Sequence, residues 1–234
     1  MIPTAQQLYE VCDGTWPAAR NWQTSGWALR DGAGGGKRVS AATQVNRDAD
    51  IAHAEVAMAD PLFMLRDGDD ALDAALAKRG YVKVDPVVMY ACPVEQLTDV
   101  PIPRVTAFTI WEPLAIMEEI WAKGGIGPAR LDVMARAKVK TGILSRWNEQ
   151  PAGTAFAAIH DGVCMVHAVE VLRHQRQQGV AKWMMRRAAF WAKEQGASHI
   201  SVLCTTANEG ANALYASLGM QVVGHYHYRH KPGA

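Results

Sequence analysis

The polarity pattern of the chain is most regular between residues 164 and 196. Residues 164–172 (CMVHAVEVL) are rich in β-branched and apolar side chains, which predicts a β-strand. After a short glycine-bearing stretch, apolar residues recur at helical spacing and form one face: Ala181, Met184, Met185, Ala188 and Ala192. Gly196 then ends the helix. The pattern therefore predicts a strand, a turn and a helix in succession.

Comparable patterns predict the order β-α-α-β-β-β-α-β-α-β over residues 105–234. These elements are expected to form a complete fold that needs nothing from the first hundred residues. Strands are predicted over 105–110, 141–147, 154–160, 164–172, 198–205 and 221–229. Helices are predicted over 113–123 and 128–137, before Gly196, and from Asn208 onward. Residues 148–153 are predicted to form a loop and Asp161-Gly162 a tight hairpin turn. Residues 92–104, which carry three prolines, are predicted to be a linker.

A turn with the sequence RQQGVA, residues 176–181, connects the strand to the long helix. The first N–H groups of a helix have no partner within it, and the helix dipole places partial positive charge at the same end. Such a turn suits a pyrophosphate group. Phosphate-binding turns occur in many α/β folds, so the turn alone does not identify a function.

Two ordered motifs make the pattern specific. The first contains Arg176, Gly179 and Ala181, and the second contains Asn208, Ala211, Leu214, Tyr215 and Gly219. Together they resemble the GCN5-related N-acetyltransferase (GNAT) superfamily over residues 105–234. The resemblance implies an α/β (α+β) fold in which helices flank a central, mixed and mostly antiparallel sheet. It also implies acetyl-CoA, or coenzyme A, as the co-substrate.

The resemblance further implies a set of cofactor contacts. Main-chain N–H groups between Gln177 and Lys182 would bind the pyrophosphate, and the strand around Val169 would pair with the pantetheine arm and direct an N–H group at the thioester oxygen. Asn208 would either bind that arm or cap its helix. The implied cofactor-binding residues are Val169, Val171, Arg176, Gln177, Gln178, Gly179, Val180, Ala181, Lys182, Asn208 and Tyr215.

Tyr215 and Glu170 are the candidate catalytic residues. A phenol stays protonated at neutral pH and can protonate a departing thiolate, so Tyr215 is the candidate acid, the alternative being an aromatic ring that packs under the cofactor. Glu170 lies mid-strand among apolar neighbours, which should raise its pKa toward that of a useful base. The alternative for Glu170 is a structural ion pair. His167 lies three residues earlier and is expected on the opposite face of the strand, and a water molecule is a third candidate for the base.

The N-terminal region contains a faint repeat of the second motif. When Gly80 is aligned with Gly219, residues 71–84 repeat the helix, glycine stop and strand, but Asn208 becomes Asp69 and Tyr215 becomes Leu76. This predicts a degenerate GNAT-like subdomain over 1–95, a linker over 96–104 and an acetyltransferase domain over 105–234, as in tandem acetyltransferases. An unrelated small α/β module is the alternative. Residues 34–37 (GGGK) are expected to form a flexible hairpin tip.

Composition narrows the class of protein further. Hydrophobic residues make up 49% of the 234 residues, which is ample for a core, and the net charge of +1 predicts no nucleic-acid or membrane partner. Four scattered cysteines predict reduced, mostly buried thiols and, with no signal peptide or spanning segment evident, a cytoplasmic protein. His225 and His227 share a strand face, but no supporting ligand spacing accompanies them, so no metal is predicted.

The sequence therefore favours an N-acetyltransferase that transfers an acyl group to a primary amine of a small molecule or peptide. The amine would enter between residues 124–127 and the last strand, in a monomer or a homodimer. A non-catalytic acyl-CoA sensor is the alternative from another class, and retention of Asn208 and Tyr215 argues against it. An acyltransferase for longer acyl groups would share every motif.

Overall fold

The computed structural model describes residues 1–232. The first part of the chain contains short elements and one long strand. In chain order these are α1 (Ala5–Thr15), β1 (Arg20–Thr24), β2 (Trp27–Asp31), a 3₁₀ turn (Lys37–Val39), β3 (Thr43–Gln44), α2 (Ile51–Ala57), β4 (Leu62–Arg66), α3 (Asp70–Lys78), β5 (Val82–Pro93) and α4 (Val94–Leu97).

The second part follows the order predicted from the sequence. Its elements are β6 (Ala107–Ile110), α5 (Ala115–Lys123), α6 (Pro128–Arg136), β7 (Val139–Trp147), β8 (Gln150–His160), β9 (Val163–Val171), a 3₁₀ turn (Arg173–Gln175), α7 (Val180–Glu194), β10 (His199–Thr205), α8 (Glu209–Ser217) and β11 (Gln221–His230). Gly196 ends α7 with a φ of +81°, as predicted. Residues 148–153 differ from the predicted loop, because β8 begins at Gln150 after a tight turn at Asn148 and Glu149.

Within residues 1–232 the strands form one large mixed sheet and one small sheet. The large sheet has eight strands in the order β4-β11-β5-β10-β9-β8-β7-β6, and the small sheet has the order β1-β2-β3. Neighbours in the large sheet are antiparallel except β9 and β10, which are parallel. Helices flank this sheet, as in the predicted fold class.

The expectation that residues 105–234 need nothing from the first hundred is wrong. Strand β5 lies between β10 and β11 and pairs with both. Its residues 87–92 (VVMYAC) are all buried, and a continuous apolar run of this kind is typical of a central strand. The linker predicted over residues 92–104 is wrong at its start, because β5 extends to Pro93 and α4 follows at once. Strand β4 adds a further strand beside β11. The first half therefore supplies two strands of the large sheet.

The sequence repeat around Gly80 and Gly219 is also a repeat in strand register. The two glycines are 139 positions apart, and both have a positive φ after a short helix. Tyr226 of β11 pairs with Arg66 of β4, and the positions related by the same offset, Val87 of β5 and Thr205 of β10, also pair. Strands β4-β11-β5-β10 therefore have an approximate two-fold symmetry between the halves. The domain boundaries themselves stay a prediction.

The apolar face predicted for α7 packs against the large sheet. Met184, Met185 and Ala188 are fully buried there, together with Val166 of β9 and Val202 of β10. Complete burial of one methionine side chain stabilises the folded state by about 2 kcal/mol. Helix α1 covers the opposite side, where Leu8 packs with residues from β4, β5, β9 and β11. The site described below lies between these two layers.

The glycine-rich segment before Arg38 packs against the second half of the chain. A Cβ atom on Gly35 would lie 2.5 Å from the Val133 side chain of α6, and one on Gly36 would lie 3.5 Å from the Arg130 guanidinium. The expectation of a flexible hairpin tip is therefore wrong, because the missing side chains allow the loop to approach α6 closely. Cys12, Cys92 and Cys164 are buried free thiols and Cys204 is half-buried, which confirms that part of the cysteine prediction. No helix in residues 1–232 combines the length and apolar character required to cross a membrane.

Candidate active site

Strands β9 and β10 separate partway along their length. Their parallel pairing runs from Val163 and His199 to Val166 and Val202, and both strands then continue without pairing to each other. The gap leaves the edge of residues 167–171 on the β10 side without a strand partner. A gap between parallel strands gives a ligand access to main-chain hydrogen-bonding groups in the centre of the sheet.

A β-bulge in β9 accompanies the separation. Phe156 of β8 pairs with His167 and Thr154 pairs with Glu170, so two residues of β9 face one residue of β8. Ala168 in the bulge has a φ of +50°, a conformation that is uncommon for a residue with a side chain. Its carbonyl accepts a 2.8 Å hydrogen bond from the indole N–H group of Trp121 in α5. Trp121 is fully buried and also holds the bulge.

The predicted phosphate turn forms the start of α7. Gln177 and Gly179 have φ values of +63° and +76°, and Gly179 is the N-cap residue of this 15-residue helix. No side chain in the described part of the chain caps it, so the first N–H groups of the helix remain available to a ligand. A Cβ atom on Gly179 would meet only the Trp183 side chain, at 3.9 Å. Glycine is therefore required here by the positive φ rather than by crowding.

The separated strands and the phosphate turn border one cavity of about 770 Å³, here called the main cavity. A volume of this size is typical of small-molecule sites. Nearly all the residues predicted to bind the cofactor or to act in catalysis line it: Val169, Glu170, Val171, Arg176, Gln177, Gly179, Val180, Ala181, Lys182, Asn208 and Tyr215. Gln178, which is exposed, is not part of the lining.

The basic residues at the turn are exposed. Arg176 donates a 3.2 Å hydrogen bond from Nε to the carbonyl of Val171, which ties the turn to the end of β9. Lys182 lies in the first turn of α7. Both side chains are close enough to the helix start to add positive charge beside it.

Helix α8 contributes Asn208 and Tyr215 to the opposite wall. The Asn208 side chain accepts a 3.1 Å hydrogen bond from the N–H group of Ala211, so it caps the helix. Sequence reasoning missed Asn212, whose amide donates to the carbonyls of Thr205, Thr206 and Asn208. These three bonds fix the connection between β10 and α8.

Tyr215 is buried, with 3% of its surface exposed, and it still borders the main cavity. Burial raises the pKa of the Tyr215 phenol well above its ordinary value, so the hydroxyl keeps its proton through the neutral range. The ring of Tyr90 in β5 lies 5.5 Å away, and its hydroxyl donates to Asn212 at 2.8 Å. The first half of the chain therefore packs directly against the candidate acid.

Glu170 lies beside the loop that follows α5. A Cβ atom on Gly124 would come within 2.6 Å of the Glu170 carboxylate, so only a glycine leaves room for the carboxylate at this point. Partial burial raises the pKa of Glu170, and the positive charges of Arg176 and Arg130 oppose that rise. The result is a half-buried carboxylate with a raised pKa in the wall of the main cavity.

The expectation that His167 faces away from Glu170 is wrong. The bulge adds one residue between them, and their partners Thr154 and Phe156 are two residues apart, so the two side chains lie on the same face and both line the main cavity. His167 is nevertheless fully engaged. Arg38 donates to its Nδ1 at 3.0 Å, and the Thr15 hydroxyl lies 2.9 Å from its Nε2.

These contacts assign a neutral imidazole to His167. Burial and the charge of Arg38 hold the pKa of His167 well below its usual range. The Thr15 hydroxyl donates to the carbonyl of Val11, so it accepts a hydrogen bond from His167 Nε2–H. With both ring nitrogens occupied, His167 has no free lone pair for a substrate proton.

A smaller cavity of about 270 Å³, here called the second cavity, adjoins the main cavity. The two share walls at Arg38, Val87, His167, Ala168 and Thr205. Sequence reasoning missed Arg38 and Val87, since both precede the segment that carries the motifs. The contacts among distant segments, rather than any local spacing, bring them to the site.

The histidines of β11 interact with aspartates of the first half of the chain. His227 lies 2.6 Å from Asp73, which also binds the guanidinium of Arg229 at 2.8 and 2.9 Å. Tyr226 and Tyr228 are buried. Within residues 1–232 no cluster of three or more His, Cys, Asp or Glu side chains has the arrangement of a metal site.

The first half has a reduced counterpart of the main cavity. A cavity of about 210 Å³ is lined by Asp69, Ala71, Leu72 and Ala75, which correspond by the offset of 139 to four lining residues of the main cavity: Asn208, Gly210, Ala211 and Leu214. Its helix α2 has seven residues, and the Asp50 carboxylate accepts the N–H group of Ala52 at the helix start. A carboxylate there opposes phosphate binding.

The fold agrees with comparisons to known proteins. Residues 113–220 match the model of the family described as Acetyltransferase (GNAT) family. A GCN5-related N-acetyltransferase from Kribbella flavida superposes with a TM-score of 0.75 at 20% identity, over 98% of this chain and 96% of that chain. A tandem GNAT protein from the clavulanic acid biosynthesis pathway superposes with a TM-score of 0.59 at 14% identity, over 87% and 76% of the two chains. No curated protein sequence matches this chain significantly.

These findings confirm the recognition and the fold class. The chain has the GNAT fold, and residues 113–220 match the GNAT family model. The match supports acyl transfer as the general chemistry of these residues.

Proposed function

We propose that this chain is an acetyl-CoA-dependent N-acetyltransferase that transfers an acyl group to a primary amine by direct attack in a ternary complex. The observation that carries the proposal is the main cavity, which joins an uncapped helix start to a gap between two parallel strands. The helix start suits a pyrophosphate, and the strand edge suits an amide-bearing arm. Coenzyme A contains both groups in that order.

In this proposal the N–H groups from Gln177 to Lys182 bind the pyrophosphate. Arg176 and Lys182 add charge-assisted contacts at the exposed mouth of the cavity. Val169 and Val171 pair through their main chains with the pantetheine arm, and the spare amide of Asn208 reaches the same arm. The support is that all these residues except Gln178 line one cavity.

The bulge in β9 would stabilise the charge that develops on the thioester oxygen. A bulge turns main-chain N–H groups out of the regular ladder, and an N–H group near Val169 would then face the carbonyl. The hydrogen bond from Trp121 holds the Ala168 carbonyl on the other side. Pre-arranged donors of this kind need no reorganisation during the reaction.

Glu170 and Tyr215 would handle the protons. Glu170 accepts a proton from the ammonium group, directly or through water, and the free amine then attacks the thioester carbon. The C–N bond forms, the C–S bond breaks and the thiolate takes a proton from Tyr215. The second amine proton passes through solvent to Tyr215 and restores its hydroxyl, and Glu170 releases its own proton to solvent, so that one proton is released per turnover. The raised pKa values of both groups match these roles.

Release of free thiol from acetyl-CoA in the presence of a panel of primary amines tests this proposal. We expect amine-dependent thiol release, with an N-acetyl product identified by mass spectrometry. Binding of coenzyme A with no thiol release for any amine would instead indicate a sensor that keeps the cofactor site alone. No binding of coenzyme A would overturn both.

A further inference from the structure

The second cavity is built by both halves of the chain. The first half supplies the segment around Gly36 and Arg38, together with Asp85 of β5. The second half supplies Arg130 of α6 and Tyr226 of β11. Because this cavity opens toward His167 and Ala168, beside the bulge, a molecule in it would lie next to the reacting end of the main cavity.

Arg38 carries a positive charge that the described residues leave without a carboxylate partner. Its Nη1 atom donates to His167, which is neutral and cannot offset the charge. Its Nε atom is buried and has no hydrogen-bond partner in residues 1–232. A buried guanidinium group without an anion is costly, so a site that keeps one is suited to an anionic ligand.

Arg130 is the second cation of this cavity. It forms no ion pair with a carboxylate among the described residues, and its guanidinium lies beside Gly36. The remaining charges of the cavity cancel, since Lys37 binds Asp85 at 2.9 Å. The cavity therefore presents a net positive charge from Arg38 and Arg130.

A buried phenol provides a third polar group. Tyr226 is 3% exposed and lines the second cavity, where its hydroxyl lies beside Arg38 and Tyr228 without a hydrogen bond of good geometry within residues 1–232. A buried hydroxyl without a well-aligned partner is unfavourable. A ligand oxygen at this point would satisfy Tyr226 and Arg38 together.

We propose that the second cavity binds the acceptor through a carboxylate, held by Arg38, Arg130 and Tyr226, so that the acceptor is a small amine of the amino-acid class. This inference rests on the proposed transferase function and names the substrate of the same site. Two guanidinium groups repel an amine that carries only positive charge, whereas a carboxylate neutralises them. The amine then points toward the main cavity, where Glu170 lies.

Amino acids and their amides are the matched probes for this proposal. Each pair keeps the same side chain and replaces the carboxylate by a neutral amide. The amine of the amide is the less basic of the two and is more often free at neutral pH, so a preference for the acid cannot come from the availability of free amine. We expect kcat/KM for acetylation to be at least roughly tenfold higher for the acid than for the amide of an accepted pair, because charged hydrogen bonds exceed neutral ones by this margin. Aminoalkyl phosphates, tested alongside, distinguish a phosphate site from a carboxylate site.

The variant Arg130→Gln tests whether the second cavity causes the preference for the acid over the amide. We expect it to reduce the acid-to-amide ratio of kcat/KM about tenfold while the Kd for coenzyme A stays unchanged. Arg104→Gln, which removes the same charge from an exposed residue outside both cavities, should leave the ratio as it is. Arg38→Gln should act as Arg130→Gln does if it folds.

The outcomes separate this inference from the proposed function. Acetylation of amides, diamines or aminoalkyl phosphates at rates equal to or above those of amino acids would overturn the carboxylate site and leave the transferase intact. An acid-to-amide preference that persists in Arg130→Gln and Arg38→Gln would also overturn it. The absence of thiol release with every amine tested would overturn the transferase itself.

Discussion

At the scale of single residues, the surroundings of Tyr215 suit a proton donor and those of Glu170 suit a proton acceptor. Both border the main cavity, and burial raises the pKa of each. Because its pKa is raised, the Tyr215 phenol keeps its hydroxyl proton at neutral pH. For the Glu170 carboxylate, the raised pKa means that the proton is accepted more readily than by an exposed glutamate.

We expect Tyr215→Phe to reduce kcat about a hundredfold, because the leaving thiolate loses its proton donor. The Kd for coenzyme A should change little, since the ring and its packing remain. Tyr90→Phe is the matched control, as the Tyr90 hydroxyl donates to Asn212. Steady-state kinetics and calorimetry measure the two effects. Equal turnover in Tyr215→Phe and the wild type would refute the role of acid.

The pH dependence of the rate tests Glu170. Only the deprotonated carboxylate can accept a proton, so kcat/KM should rise with pH through the raised pKa of Glu170 and level off above it. In Glu170→Gln the rate should fall about a hundredfold and this acidic limb should vanish. Glu119→Gln, on the exposed side of α5, is the control. An acidic limb that survives in Glu170→Gln would locate the base elsewhere.

At the scale of elements, α7 is bounded at each end by a glycine in a left-handed conformation. Gly179 has a φ of +76° and Gly196 a φ of +81°. The sequence predicts both, since a glycine before and after an amphipathic run is a common boundary signal. It does not predict the bulge at Ala168, because an alanine inside an apolar strand carries no signal for a positive φ.

We expect Gly179→Val to weaken coenzyme A binding at least tenfold, because a branched residue resists the positive φ that presents the N–H groups. Gly196→Val is a close control: it imposes the same strain at the other end of the same helix, and a Cβ atom there would meet nothing within 4 Å. Both variants should lose similar stability. An equal loss of coenzyme A affinity in both would contradict a phosphate site at the start of α7.

At the scale of the whole molecule, an ion-pair cluster joins the two halves. Asp73 of α3 binds His227 and Arg229 of β11, and these contacts lower the pKa of Asp73 to about 2. A lowered carboxylate pKa stabilises the folded state above the ordinary pKa of aspartate, and this contribution is lost as pH falls through about 2.

The variant Asp73→Asn should therefore be less stable than the wild type at neutral pH, by about 1–3 kcal/mol. The difference should shrink as pH falls from about 4 toward 2, where the wild-type carboxylate becomes protonated. Denaturant unfolding at several pH values measures it. Asp48→Asn, at an exposed residue outside the cluster, serves as the control. A gap that widens on acidification would contradict this account.

Truncation tests whether the second half of the chain depends on β5, which the first half supplies. A chain of residues 105–234 lacks β5, so β10 and β11 lose the strand that lies between them, and both expose unpaired main-chain groups. We expect this fragment to aggregate or to lack a cooperative unfolding transition. The full chain of 234 residues should unfold in one transition. A monomeric fragment that unfolds cooperatively and binds coenzyme A would contradict the structural dependence on β5.

The sequence by itself determined the elements of residues 105–234, the phosphate turn and eleven of the residues that line the main cavity. These are local properties, because periodicity, glycine position and motif spacing act over a few residues. Only the tertiary structure decided the central position of β5, the bulge that turns His167 and Glu170 to one face, and the approach of Arg38 to the site. Each of these depends on contacts between segments far apart in the chain, and strand order and register follow from the packing of whole layers.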